Sequence, residues 1–159
     1  MVDEARRVLA DAEKRRVQII LPVDVIVAKE VTRGTEYKTL LAEKIPASWH
    51  IVDIGKATIE RIEEGLAEVR TAFWNGPLGV FEIPSFAHGT KAVARVLAAR
   101  AEAGATVVVG GGDSVAAIQQ QGLASAFTHI STGGGASLEF LEGRELPGIA
   151  VLRDGAAVA

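Results

Sequence analysis

Thr106-Val107-Val108-Val109-Gly110-Gly111-Gly112-Asp113-Ser114, followed by Val115-Ala116-Ala117-Ile118, is the stretch whose reading decides the fold. Four residues dominated by β-branched side chains predict a buried strand. Three glycines end it, and Asp113-Ser114 stands where the N-cap of a following helix belongs. Glycines without Cβ atoms let an anion approach the main chain, and the unpaired amides and positive dipole end of the helix face it. A carboxylate beside phosphate is repulsive unless a cation lies between them. Mg²⁺, held by one or two carboxylates and by the phosphates, is the usual one, so Asp113 is the candidate metal ligand. Taken alone, the stretch leaves two readings equally open: a phosphate site, or an ordinary strand-to-helix turn, where Gly, Asp and Ser are common. Two fingerprints do not fit it. Val115 stands where a dinucleotide motif would carry its third glycine, and no Gly-Lys-Ser/Thr follows as a P-loop requires.

Working outward, a second triple-glycine loop, Ser131-Thr132-Gly133-Gly134-Gly135-Ala136-Ser137, follows a predicted strand at 126–130 and leads into a helix carrying Leu138 and Leu141. Upstream, Ile51-Val52-Asp53-Ile54-Gly55 reads as a strand, and Thr58 as the cap of a helix with Ile59, Ile62, Leu66 and Val69 at helical spacing. Gly65 weakens that helix by about 1 kcal/mol relative to Ala unless close packing requires it. A strand at 71–74 runs into the loop 75–82, and Val93, Val96, Leu97 and Ala101 form the stripe of the next helix. Residues 3–16 read as an amphipathic helix, 17–21 and 23–28 as short strands, and Asp24 as a solvated strand end. Residues 29–47 read as an irregular surface connection, and 149–152 as a last short strand.

Strands near 51, 71, 106 and 127 alternating with helices predict an α/β fold, three-layered with a mainly parallel sheet. Ligands in such sheets collect at the carboxyl ends of the strands. The loops at Gly55, 75–82, Gly110 to Ser114 and Thr132 to Gly135 are therefore expected along one rim. Two triple-glycine loops there suit an extended anion such as a polyphosphate. Pro77, Leu78 and Val80 offer an apolar wall beside the carboxylate of Glu82, which fits a flat base and ribose hydroxyls. By itself Glu82 reads rather as a solvated loop acid.

The 159 residues, 48% hydrophobic, suffice for one core and predict a single domain over 1–159. A net charge of -3 with dispersed Lys and Arg gives no basic stripe, so nucleic acid is not an expected partner. The absence of cysteine excludes disulfides, thiolate metal sites and a cysteine nucleophile. No apolar run reaches the length of a membrane span, and charged residues follow Met1 where a signal sequence would be apolar. A soluble, cytoplasmic protein is expected.

Three motifs in register, Trp74-Asn75-Gly76-Pro77-Leu78-Gly79-Val80-Phe81-Glu82, Val109-Gly110-Gly111-Gly112-Asp113-Ser114 and Ser131-Thr132-Gly133-Gly134-Gly135-Ala136-Ser137-Leu138-Glu139, resemble the C-terminal, nucleotide-binding domain of the phosphoglycerate kinase family. Leu21-Pro22-Val23-Asp24 and Asp53-Ile54-Gly55 match it in the same order. The resemblance implies a Rossmann-like domain and reversible phosphoryl transfer between 1,3-bisphosphoglycerate and ADP. It implies that Glu82 holds the ribose, Pro77 and Val80 border the adenine, and Asn75 lies close to the phosphates. It gives Gly110, Gly111, Gly112, Asp113 and Ser114 the phosphate and Mg²⁺ site of ATP or ADP. The amides of Gly112, Gly133 and Gly134 would stabilise the transferring phosphoryl, with Gly112 and Gly134 in the catalytic role.

The chain departs from the family in lacking an N-terminal domain for phosphoglycerate, the first strands of the C-terminal domain and their lysine contacts. It also has Lys56 where the family commonly has proline. It is thus expected to be the latter part of a larger enzyme, inactive alone, weak in nucleotide binding, and poorly stable or oligomeric through an uncovered sheet edge. The competing expectation is a stand-alone, non-catalytic nucleotide-binding or interaction module. A dinucleotide-dependent dehydrogenase is disfavoured by the glycine spacing.

Overall fold

Two three-stranded sheets meet on one shared helix in the computed structural model, which describes residues 1–155. After helix α1 (Val2–Lys14), the first sheet is built from β1 (Asp24–Ala28), β2 (Tyr37–Leu41) and β3 (His50–Ile54), ordered β2-β1-β3 with both pairings antiparallel. Helix α2 (Lys56–Leu66) leads to the second sheet. Its strands β4 (Thr71–Asn75), β5 (Thr106–Gly110) and β6 (His129–Ser131) are parallel and lie in chain order. Helices α3 (His88–Glu102) and α4 (Gly112–Gln120) make the two crossovers that parallel neighbours require. Helices α5 (Gly134–Leu141) and α6 (Pro147–Gly155) follow.

The parallel sheet and its helices form the Rossmann-like α/β core expected from the sequence. Alternation along β5 sends Val107 and Val109, both fully buried, towards the helices. There they pack with Trp74, Phe127, Ile118 of α4 and Val93, Ala94, Leu97 and Ala98 of α3. The opposite face carries Phe73 and Val108, which with Phe140, Leu141 and Ile149 line an apolar hollow of about 490 Å³. The N-terminal end of α3 serves the other sheet, next to a second cluster of Ala28, Val52 and Phe86.

Two aspartates on the antiparallel sheet cap the two helices that follow β3 and β4. Asp24 accepts from the amides of Ala57 (3.1 Å) and Thr58 (2.7 Å) and from the Thr58 hydroxyl (2.7 Å). Those amides are orphan donors of the first turn of α2, whose own N-cap residue, Gly55, has no side chain to offer them. Gly55 must be glycine because a Cβ there would collide with the Asp24 carboxylate. Asp53, 1% exposed, accepts from Gly89 N at the start of α3 (3.0 Å) and from Ile54 N (2.9 Å).

Several expectations are corrected. Asp24 is buried at 8% exposure and is not a solvated strand end. Thr58 lies inside α2, where its hydroxyl donates to the capping Asp24 and accepts from the amides of Val23 and Asp24. The strand at residue 51 joins an antiparallel sheet, so Gly55 lies off the rim of the parallel one. The connection 29–47 contains β2, and the strand expected at 126–130 is β6, preceded by a short 3-10 turn at Ala124–Ala126.

Residues 17–21 form no strand, because they have no pairing partner. Val17 and Leu21 stay more than half exposed, while Ile20 turns in against Gly65. Close packing thus explains the glycine in α2. Residues 149–152 are helical: Pro147 suits the first turn of α6, and four apolar residues carry no period that separates strand from helix. Lys56 opens α2 at a position where proline is also favoured, and pairs with Glu60 at 3.6 Å.

The Asp24 cap has a pH signature. Burial opposes ionisation of its carboxyl, but the bonds from Thr58 and Ala57 prevail and hold it below the ordinary value of 3.8. A depressed folded value means stability that is present above 3.8 and lost as pH falls through the folded value. Asp24→Ala is expected to cost about 1.5–3 kcal/mol at neutral pH. In urea denaturation, the gap between variant and wild type should close as the pH drops below 3.8.

Candidate functional site

The carboxyl ends of β4, β5 and β6 release three loops side by side, because the strands lie in chain order. Main-chain contacts tie each loop to the next. Ser114, fully buried in the first turn of α4, accepts a 2.7 Å hydrogen bond from Gly76 N in the first loop. Gly111 N donates to Ser131 O at the start of the third (3.3 Å). Gly134 packs on the main chain of Gly111, where a Cβ would lie 2.8 Å from Gly111 Cα and 2.9 Å from its nitrogen. Gly111 itself adopts φ 89°, in the left-handed region that favours glycine.

Two helix N-termini consequently meet. The first bond of α4 runs from Val115 N to Gly111 O, and that of α5 from Ser137 N to Gly133 O. The amides of Gly112, Asp113 and Ser114, and of Gly134, Gly135 and Ala136, precede those bonds, so they are the orphan donors of helix starts. Beside Gly112, Gly133 and Gly135 there is open space or only ordinary contact for an added Cβ. Donors, dipole ends and free volume coincide, which is the physical specification of an anion site. Asp113 is exposed in the first turn of α4. Ser114 offers its amide there, and its hydroxyl oxygen accepts from Gly76 N while keeping its O–H to donate.

The loop 75–82 has a different character, because its own donors are consumed internally. Leu78 N and Gly79 N donate to Thr90 Oγ1 (3.0 and 3.3 Å), Val80 N to Val52 O (2.9 Å), and Phe81 N to Gly79 O (2.9 Å). Trp74 Nε1 fixes the carbonyl of Gly76 at 2.7 Å. The loop presents side chains instead: Pro77, Leu78 and Val80 are partly buried, and Asn75 and Glu82 are exposed. Residue-type reasoning passed over Thr90 and Asp53, which hold this loop from below. The available signal was Asp53, a lone charge inside an apolar strand. Burial pushes its carboxyl above the ordinary 3.8, against the lowering effect of the bonds from Gly89 and Ile54. Among the described residues no group of three or more His, Cys, Asp or Glu gathers that could hold a metal unaided, and no helix is long and apolar enough to cross a membrane.

The family model described as phosphoglycerate kinase matches residues 1–144. The chain belongs to the phosphoglycerate kinase family. A phosphoglycerate kinase of Synechococcus elongatus is 51% identical over 155 residues, which cover 98% of this chain and 39% of the relative. One from Fervidobacterium nodosum is 52% identical over 154 residues, 96% of this chain and 38% of that protein. Among solved structures, the phosphoglycerate kinase of Coxiella burnetii superposes with a TM-score of 0.86 at 39% identity, over 94% of this chain and 38% of that one. The chain thus spans about 39% of the length of the curated relatives it matches.

The glycine contact between the second and third loops of this family member separates two neighbouring substitutions. Gly134→Ala forces two main-chain segments apart and is expected to cost about 1–3 kcal/mol. Gly135→Ala meets nothing within 4 Å in the first turn of α5, and is expected to be neutral or stabilising by up to about 1 kcal/mol. Chemical denaturation of both variants checks the contrast.

Proposed function

We propose that this chain is the ATP- and ADP-binding part of a phosphoglycerate kinase, which in glycolysis moves a phosphoryl group reversibly between 1,3-bisphosphoglycerate and ADP. The observation that carries the reading is the meeting of the α4 and α5 N-termini at the Gly111–Gly134 contact, with Asp113 beside it. Orphan amides converging on one volume suit a polyphosphate, and the wall of Pro77, Leu78 and Val80 next to Glu82 suits a nucleoside.

In this reading Glu82 accepts the ribose hydroxyls, Pro77 and Val80 border the adenine, and Asn75 lies along the phosphates with the loop Gly110 to Ser114, which offers the amides of Gly112, Asp113 and Ser114. A single exposed carboxylate at a helix start fits Mg²⁺ shared between Asp113 and nucleotide phosphate, where the ion would neutralise phosphate charge. The amides of Gly112, Gly133 and Gly134 act where charge spreads over the transferring phosphoryl, so the protein's contribution is positioning and electrostatics. Transfer also demands an aligned acceptor, and orientation supplies about 7–11 kcal/mol of such a barrier. We assign the phosphoglycerate site to the part of the relatives' length outside this chain, and expect the chain alone to be inactive. A cytoplasmic setting belongs to the same reading.

The test is a full-length chimera in which this chain replaces the matching part of the Coxiella burnetii enzyme. Asp113→Asn is expected to abolish the dependence of ADP affinity on magnesium. Glu82→Ala is expected to raise the nucleotide KM by about tenfold to a hundredfold, as loss of a charge-assisted bond implies, while kcat changes less. A folded chimera that binds no Mg·ADP would overturn the reading.

A further inference from the structure

We propose that Thr90 is a positioning residue for the nucleotide: its hydroxyl fixes the loop that presents Pro77, Val80 and Glu82, and thereby sets nucleotide affinity without touching the ligand. The inference rests on the nucleotide reading above and adds a residue to it. Thr90 is fully buried in the first turn of α3, and its Oγ1 accepts from both Leu78 N and Gly79 N. These two amides lie where the chain has left β4 and not yet reached the bond from Val80 N to Val52 O. Pro77, just before them, has no amide to offer. A strand partner would ordinarily accept such donors, and here one hydroxyl accepts both.

The rest of the loop is fixed at its ends, by Ser114 at Gly76 and by Val52 at Val80. Thr90 controls the middle, where the apolar wall turns towards the acid. Asp53, touching the same turn at Gly79, is committed to Gly89 and Ile54 and offers the loop packing only. Valine is nearly isosteric with threonine, so Thr90→Val keeps the packing of α3 and removes the acceptor. Leu78 and Gly79 must then seek water, and the side chains of the loop move with them.

Amide exchange by NMR on the 159-residue chain and titration with Mg·ADP on the full-length chimera test the proposal. The wild type is expected to protect the amides of Leu78 and Gly79. Thr90→Val should expose them while those of Val107 and Val109 stay protected, and the Kd for Mg·ADP should rise about tenfold, because the loop must then be ordered at the expense of binding. Thr90→Ser, which keeps the hydroxyl, should restore both. A folded Thr90→Val variant with unchanged ADP affinity would overturn the proposal. So would free exchange of Leu78 and Gly79 in the wild type, a measurement that holds even if the valine variant does not fold. Failure of the nucleotide reading looks different: ADP affinity would be absent from wild type and Thr90→Ser alike, while amide protection still followed the hydroxyl.

Discussion

The carboxylate of Asp53 is the point on which the two halves of the structure depend. It lies inside the protein on β3, accepts from Gly89 at the head of α3, and leaves no room for a side chain at Gly79 in the loop leaving β4. The antiparallel sheet, the helix that covers the parallel sheet and the first loop of the site therefore share one ionisable group. Its titration runs opposite to that of Asp24. Burial raises Asp53, so its contribution is full below 3.8 and lost as pH rises through its folded value, whereas Asp24 contributes above 3.8. The two windows adjoin at 3.8 and do not overlap: Asp24 adds stability as pH rises towards that value, and the contribution of Asp53 falls away above it.

From that anchor the site follows by short steps. Fixing α3 fixes Thr90 and the loop above it. The loop reaches α4 through Gly76 and Ser114, and α4 meets α5 through Gly111 and Gly134. Division of labour follows from where the amides go. The first loop spends its donors on protein and presents side chains, and the two glycine loops keep theirs at helix starts and present main chain. A ligand with one apolar, hydroxylated end and one anionic end matches that division.

The glycine loops and the loop before Glu82 were legible in the sequence because local chemistry specifies them: a β-branched run, glycines, then a helix. What sequence left hidden depends on partners far along the chain. Thr58 reads as a cap because its residue type suits one, yet the capping carboxylate comes from Asp24, 34 positions away. Residues 17–21 have the pattern of a strand, but a strand exists only through pairing. The segment Tyr37–Leu41 looked irregular because nearly all of it faces solvent, so no apolar alternation marks it. Ser114 has a residue type that suits phosphate, and only the structure shows that its oxygen also accepts from Gly76 and so ties two loops together.

Helix α1 stands apart from this network, since none of its 13 residues is buried. Its ion pairs, Arg6 with Asp3, Arg7 with Glu4 and Lys14 with Asp11, are exposed and contribute little. It closes with Arg16 at φ 56°, a left-handed geometry that glycine would adopt at lower cost. A helix of this length with no buried residue is marginal in water. The far-ultraviolet signal of the chain is consequently expected to sum two melts, a shallow one from α1 and a cooperative one from the sheets, and a single two-state fit would then understate the steepness of the second. Trypsin, offered the basic pair Arg15-Arg16 at that junction, would detach the helix and leave the sheets folded.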